Sequence, residues 1–233
     1  MMIQPLEGRR LFSVAVTEGY PGFYEIHADD GGNVVDVSVS SADDTFTLNG
    51  TTYAGLQYLT VYGGAGNDTI HLTADAPSYF GAGVVAGGGD DDVSLNFDGA
   101  VWAGDGNDTV RLADAFRGEV YGQAGNDRMY ITGETVDAQI DGGAGNDLID
   151  ATGNHYSVIV YGGAGNDTIY GSEFDDQLYG GEGNDVLYGN GGDDVLYSGS
   201  NQGDRAYGGA GDDSLYGTVS SWNVDGVEHI YNG

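Results

Sequence analysis

Nine residues recur along this chain in one pattern, Gly-Gly-x-Gly-x-Asp-x-aliphatic-x: GGAGNDTIH at 63–71, GGAGNDLID at 142–150 and GGAGNDTIY at 162–170. Clear copies begin at Gly63, Gly142, Gly162, Gly180, Gly189 and Gly208, and looser ones at Ala86, Ala103, Gly122, Gly171 and Gly199. Repetition on this scale constrains the fold more than any single motif, because a nine-residue unit cannot bury a face alone and must stack on its neighbours. The 44 glycines stand beside only 3 prolines and follow no collagen triplet, so they serve turns.

Over roughly residues 63–216 the pattern resembles the RTX (repeats-in-toxin) calcium-binding nonapeptide proteins. That resemblance implies an all-β fold, a right-handed parallel β-roll or β-solenoid of about ten rungs, with calcium held between successive glycine-rich turns. Phe174 and Gln202 replace the fourth-column glycine, so the loops at 171 and 199 depart from the pattern.

The residue types argue the same way. Glycine permits positive φ and close backbone approach, so the loop carbonyls can turn inward together. A sixth-column carboxylate then adds the hard oxygen that calcium prefers. The eighth column holds Ile70, Val93, Val110, Met129, Ile149, Ile169, Leu178, Leu187, Leu196, Ala206 and Leu215. Period-2 alternation points these inward and columns seven and nine outward.

Spacing assigns the loops to sides. From 162 onward they follow every nine or ten residues, two per turn; before that they recur at 17 to 23 residues, one per turn. A long column therefore carries Asp68, Asp91, Asp108, Asp127, Asp147, Asp167, Asp185 and Asp204, and a short one opposite carries Asp176, Asp194 and Asp213. These eleven side chains are the candidate metal ligands. The candidate carbonyl ligands are those of Gly142, Ala144, Gly162, Ala164, Gly180, Glu182, Gly189 and Gly191. Ions between neighbouring rungs would number seven in the long column and two in the short, up to about nine calcium ions.

Charge and the missing cysteines fit a metal-stapled chain. Thirty-seven acids against six bases give −31, which excludes nucleic acid as a partner. With no cysteine there is no disulfide framework, and a metal is the alternative staple for a secreted domain. No apolar run approaches the ~20 residues of a membrane span.

Four segments are expected: an N-terminal segment at 1–19, metal-poor initial rungs at 20–62, the calcium-binding roll at 63–216 and a terminal strand at 217–233, uncapped. LEGRRLFS at 6–13 resembles a Leu-Glu-x-Arg-x-Leu-Leu-Ser motif near the start of some exported bacterial proteins; an ordinary first strand is the competing reading. DDGGNVV at 29–35 reads as a worn loop with Asn33 in the aspartate column. DGVEHIYNG, at 225–233, repeats the strand that leads into the first loop. Either the chain continues past it or the ends of separate molecules meet.

Late ninth-column tyrosines form two outward ladders, Tyr170/188/207 and Tyr179/197/216, and Tyr62, Trp102, Tyr121 and Tyr161 continue the theme earlier. Self-stacking and a contact surface are the competing readings. The histidines are scattered, with no His-Glu-x-x-His array and no Gly-x-Ser-x-Gly elbow, so no enzyme is expected. The expected role is a calcium-stabilised structural protein, extracellular or on a bacterial surface, that self-associates end to end or laterally. The alternatives are a polysaccharide-binding module using the tyrosines, and the export and folding portion of a larger hydrolase.

Overall fold

The structure is a computed structural model that describes residues 15–75, 81–113, 117–135, 138–199, 203–217 and 227–231. Within these residues the chain climbs as a parallel β-solenoid, in agreement with the expected β-roll. Strands that enter the long-side loops, from Phe23–His27 and Tyr58–Ala65 up to Asp213–Gly217, lie side by side in one sheet. Strands that leave those loops, from Val34–Ser40 and Thr69–Ala74 up to Arg205–Ala210, form the other. Each strand pairs in parallel with the one a full turn away, Gln139↔Ile159↔Gln177 in the first sheet and Leu148↔Thr168↔Val186 in the second.

Register follows from alternation. Val160, Leu178, Leu196 and Leu215 of one sheet face Ile149, Ile169, Leu187 and Ala206 of the other, and all are buried. Every expected eighth-column residue lies in this core. The core is only two residues deep across each rung, so no rung is stable by itself. Ile149→Ala, in mid-roll, is expected to cost about 2–5 kcal/mol, measured by denaturant unfolding at saturating calcium.

At the low-numbered end the parallel order gives way to antiparallel pairing. Thr45–Leu48 pairs antiparallel with Val34–Ser40, and Thr51–Ala54 pairs antiparallel with Thr45–Leu48. The two-residue Asn49–Gly50 turn reverses the chain, both residues having positive φ (51° and 79°), the geometry that matches strand twist. Tyr24, Phe46 and Tyr53 pack together there, and the Tyr24 hydroxyl donates to the Ala54 carbonyl at 2.7 Å. This first rung thus has an aromatic core of its own.

Candidate metal columns

The loops stack as tightly as the strands. Second-column residues Gly64, Gly87, Gly104, Gly143, Gly163, Gly181 and Gly209 have φ between 99° and 117°. Fourth-column glycines lie almost in backbone contact: the Gly165 amide donates to the Glu182 carbonyl at 2.7 Å, as Gly145 does to Ala164 at 2.7 Å and Gly125 to Ala144 at 2.8 Å. The third-column carbonyls of Ala144, Ala164 and Glu182 are thus already hydrogen-bond acceptors between rungs, with one lone pair each to spare. At Gly191 it is the amide that bonds the previous rung, donating to Ser172 O.

The aspartates form the two columns in the register read from the spacing. Each backbone N–H in the long column donates to the Oδ1 of the next aspartate, Asp68 to Asp91 and so on to Asp185 and Asp204, at 2.7 to 3.0 Å. The short column does the same, Asp176 to Asp194 and Asp194 to Asp213. All eleven aspartates are at most 3% exposed.

Their second oxygens are the anomaly. Oδ2 of Asp68, Asp91, Asp108, Asp127, Asp147, Asp167, Asp185, Asp194 and Asp204 is buried with no hydrogen-bond partner. Buried charged oxygens left unpaired are costly, and a whole column of them needs a cation. Those of Asp68, Asp127, Asp147, Asp167 and Asp194 lie over the first-column glycine of their own loop, beside the first-column carbonyl of the next rung. A methyl placed on Gly142 would sit 2.5 Å from Asp147 Oδ2 and 2.6 Å from Gly162 O; on Gly162, 2.5 Å from Asp167 Oδ2 and 2.6 Å from Gly180 O. On Gly171 it would meet Asp176 Oδ2 and Gly189 O. The first-column carbonyls of Gly142, Gly162, Gly180 and Gly189 therefore share each cradle with the carboxylate one rung below. Oxygen-only donors, charged and neutral together, fit calcium.

Burial raises these carboxyls strongly when no cation is present. Asp108 and Asp185 are pushed up to about 6, Asp91, Asp127 and Asp167 to about 7, and Asp194 to about 8, with neighbouring aspartates adding to the rise. Among the described residues no three acidic or histidine side chains converge on one point. One carboxylate per rung supplemented by backbone carbonyls gives a different geometry from such a cluster.

A second ladder runs outside the first. Asn107, Asn126, Asn146, Asn166 and Asn184 stack, each Oδ1 accepting both the backbone N–H and the side-chain N–H of the next, at 2.8 to 3.1 Å. The fifth-column asparagines were visible in the sequence, but their use as a neutral rung-to-rung tether was not. Asn96 and Asn154 are further tethers on the side of the plain turns. Asn96 bonds both the Ala74 amide and carbonyl, and Asn154 bonds both backbone groups of Thr135. Their only sequence signal is an asparagine spaced one turn from a turn residue.

The tyrosine ladders stack as expected and gain a member. Tyr161, Tyr179, Tyr197 and Tyr216 follow one another at 4.4 to 5.0 Å with planes within 17°. Tyr170, Tyr188 and Tyr207 do so at 4.7 and 4.8 Å. Trp102 stacks on Tyr121, and Tyr62 on His27.

Fold and columns together define a glycine-looped parallel β-solenoid whose turns are built to hold divalent cations between rungs. The RTX calcium-binding nonapeptide repeat, in its four-copy form, matches residues 60–76, 137–155, 161–196, 170–203 and 198–218; the chain carries RTX calcium-binding repeats between residues 60 and 218. No curated protein matches it. No helix among the described residues is long and apolar enough to cross a membrane.

Proposed function

We propose that this protein is an extracellular, non-enzymatic scaffold whose roll, residues 63–216, is folded by calcium bound between rungs. The observation that carries the reading is the column of buried, unpartnered Oδ2 atoms, with those of Asp68, Asp127, Asp147, Asp167 and Asp194 set beside a first-column carbonyl of the next rung. The Asp side chains of both columns supply the charged ligands, and the first-column carbonyls the neutral ones. Calcium supplies the positive charge that lets a stack of buried carboxylates ionise; the chain supplies the spacing, the inward carbonyls and the exclusion of water. Native mass spectrometry at increasing calcium tests this. A ladder of bound ions is expected, and Asp147→Ala, which serves two gaps, is expected to lose two of them. A wild-type chain that binds no calcium while fully folded would sink the reading.

Lateral self-association fits the outer surface. From Ile159 onward the two outward rows of the first sheet are Ile159, Gln177, Val195 and Ser214 beside Tyr161, Tyr179, Tyr197 and Tyr216, without a charge on a protein of −31. An uncharged aromatic face on so acidic a molecule suits contact with a second such face. Sedimentation in millimolar calcium is expected to show association that Val195→Glu removes; monomers at every concentration would rule it out. Polysaccharide stacking is the less favoured use of the same rings, because each ring face already lies against the next tyrosine.

A further inference from the structure

The two columns do not begin as they continue. In the long column the member before Asp68 is Asn33, whose backbone N–H donates to Asp68 Oδ1 at 2.6 Å just as the aspartates do to one another. Asn33 is 1% exposed. Its Nδ2 is ringed by oxygens: the carbonyl of Asp29 at 2.8 Å, that of Gly31 closer still, that of Gly63 at 3.4 Å, and Asp68 Oδ1 at 2.9 Å. These are the second- and fourth-column carbonyls of its own loop, the first-column carbonyl of the next rung and the next carboxylate. All four are acceptors, which fixes the amide with its nitrogen toward them. The N–H2 group occupies a cage of oxygens of the kind that later loops present to a cation.

In the short column the first aspartate is Asp176, and it differs from Asp194, whose Oδ2 is buried without a hydrogen-bond partner. Its Oδ2 accepts the Ser172 amide at 2.5 Å and the Ser172 hydroxyl at 3.1 Å, while its Oδ1 accepts the same hydroxyl at 3.0 Å and the Val158 amide at 2.7 Å. Ser172 stands in the second column, where the glycines have φ near 100°, yet it is not among the positive-φ residues. The loop has turned a donor inward where the next two loops of its column hold Asn190 and Gly209 in the left-handed region, with φ of 78° and 109°.

We infer that Asn33 and Ser172 are hydrogen-bonded substitutes for calcium, so that each metal column starts on a plug made by the chain itself. The inference rests on calcium binding in the later loops. The gap between Asp176 and Asp194 then takes no ion, and the described roll holds seven ions in the long column and one in the short. The first rung, with its Tyr24–Phe46–Tyr53 core and its amide plug, forms without metal and offers a preformed edge on which calcium adds rungs.

Native mass spectrometry of the full chain at saturating calcium, with wild type, Ser172→Gly and Asn33→Asp side by side, decides it. Ser172→Gly frees Asp176 Oδ2 and restores the second-column glycine; Asn33→Asp replaces the donor with a carboxylate. Each variant is expected to bind one calcium ion more than wild type. Wild type binding calcium while both variants show unchanged counts would overturn the inference and leave the calcium reading standing. Wild type binding none would remove both. Should a variant fail to fold, hydrogen exchange on the chelated wild type separates the outcomes. Slow exchange is expected at the Asn33 amide beside fast exchange at Asp127 and Asp147, and equally fast exchange at all three would overturn it.

Discussion

Chelating calcium at pH 7 to 8 is expected to unfold the repeat region, and acidifying the chelated chain is expected to bring part of its β-structure back. Rungs are about 4.8 Å apart. Two bare carboxylates at about 5 Å repel by roughly 3 kcal/mol at an effective dielectric near 20. Summed along a column, that exceeds the ~5–15 kcal/mol by which a typical domain is stable. The pH dependence follows from burial. An aspartate whose ordinary value is 3.8 is raised to about 7 at Asp127 and Asp167 and to about 8 at Asp194 in the metal-free fold. Below 3.8 folded and unfolded chains are both protonated. Between 3.8 and those raised values the folded chain holds protons that the unfolded chain has released. Metal-free stability therefore falls as pH rises through that window and is lowest above it. With calcium the sign reverses, because protons compete with the ion for Oδ2, so acid releases calcium. Far-ultraviolet circular dichroism from pH 4 to 8, with calcium and with chelator, measures both curves. Two superimposable curves would contradict the columns as metal sites.

Gly165→Ala is expected to be nearly as damaging as chelation, and calcium will not rescue it. Gly165 has φ of 136°, where an L side chain is strained, and an added Cβ would lie 1.6 Å from the Gly145 carbonyl oxygen. Strain alone costs about 1–3 kcal/mol, and the clash is with backbone that cannot move without unstacking the rung below. A loss of at least about 3 kcal/mol in calcium-saturated unfolding is expected. The same change at the exposed Gly50 turn, where no atom lies within 4 Å of the added carbon, meets only the conformational penalty. Equal losses at the two positions would show that rung-to-rung packing of the loops is not what requires glycine.

Much of the fold was legible because repetition removes ambiguity. Loop starts at nine or ten residues in one half and about twenty in the other imposed two sides, and Asp167 N–H on Asp185 Oδ1 rather than on Asp176 is the direct result. The aspartate columns and inward eighth column were equally fixed by period. The antiparallel pairing of Thr45–Leu48 was not visible, since an Asn-Gly turn signals a hairpin without saying which sheet edge receives it. Nor was the saturation of Asp176, because Ser172 reads as a mild departure from glycine until its φ and its hydrogen bonds are known. Asn33 could be placed in its column, yet nothing in DDGGNVV says that its nitrogen, rather than its oxygen, faces four acceptors.

The sequence alone determined the parallel roll, its core and which carboxylates share a column, because loops of one pattern spaced by half a turn or a whole turn can stack in only one register that buries every eighth-column residue. Tertiary structure alone decided which oxygens meet in each cradle and where the chain's own amide and hydroxyl groups sit in them. Those outcomes depend on backbone direction at single residues and on neighbours a full turn away, and neither is encoded within one nonapeptide.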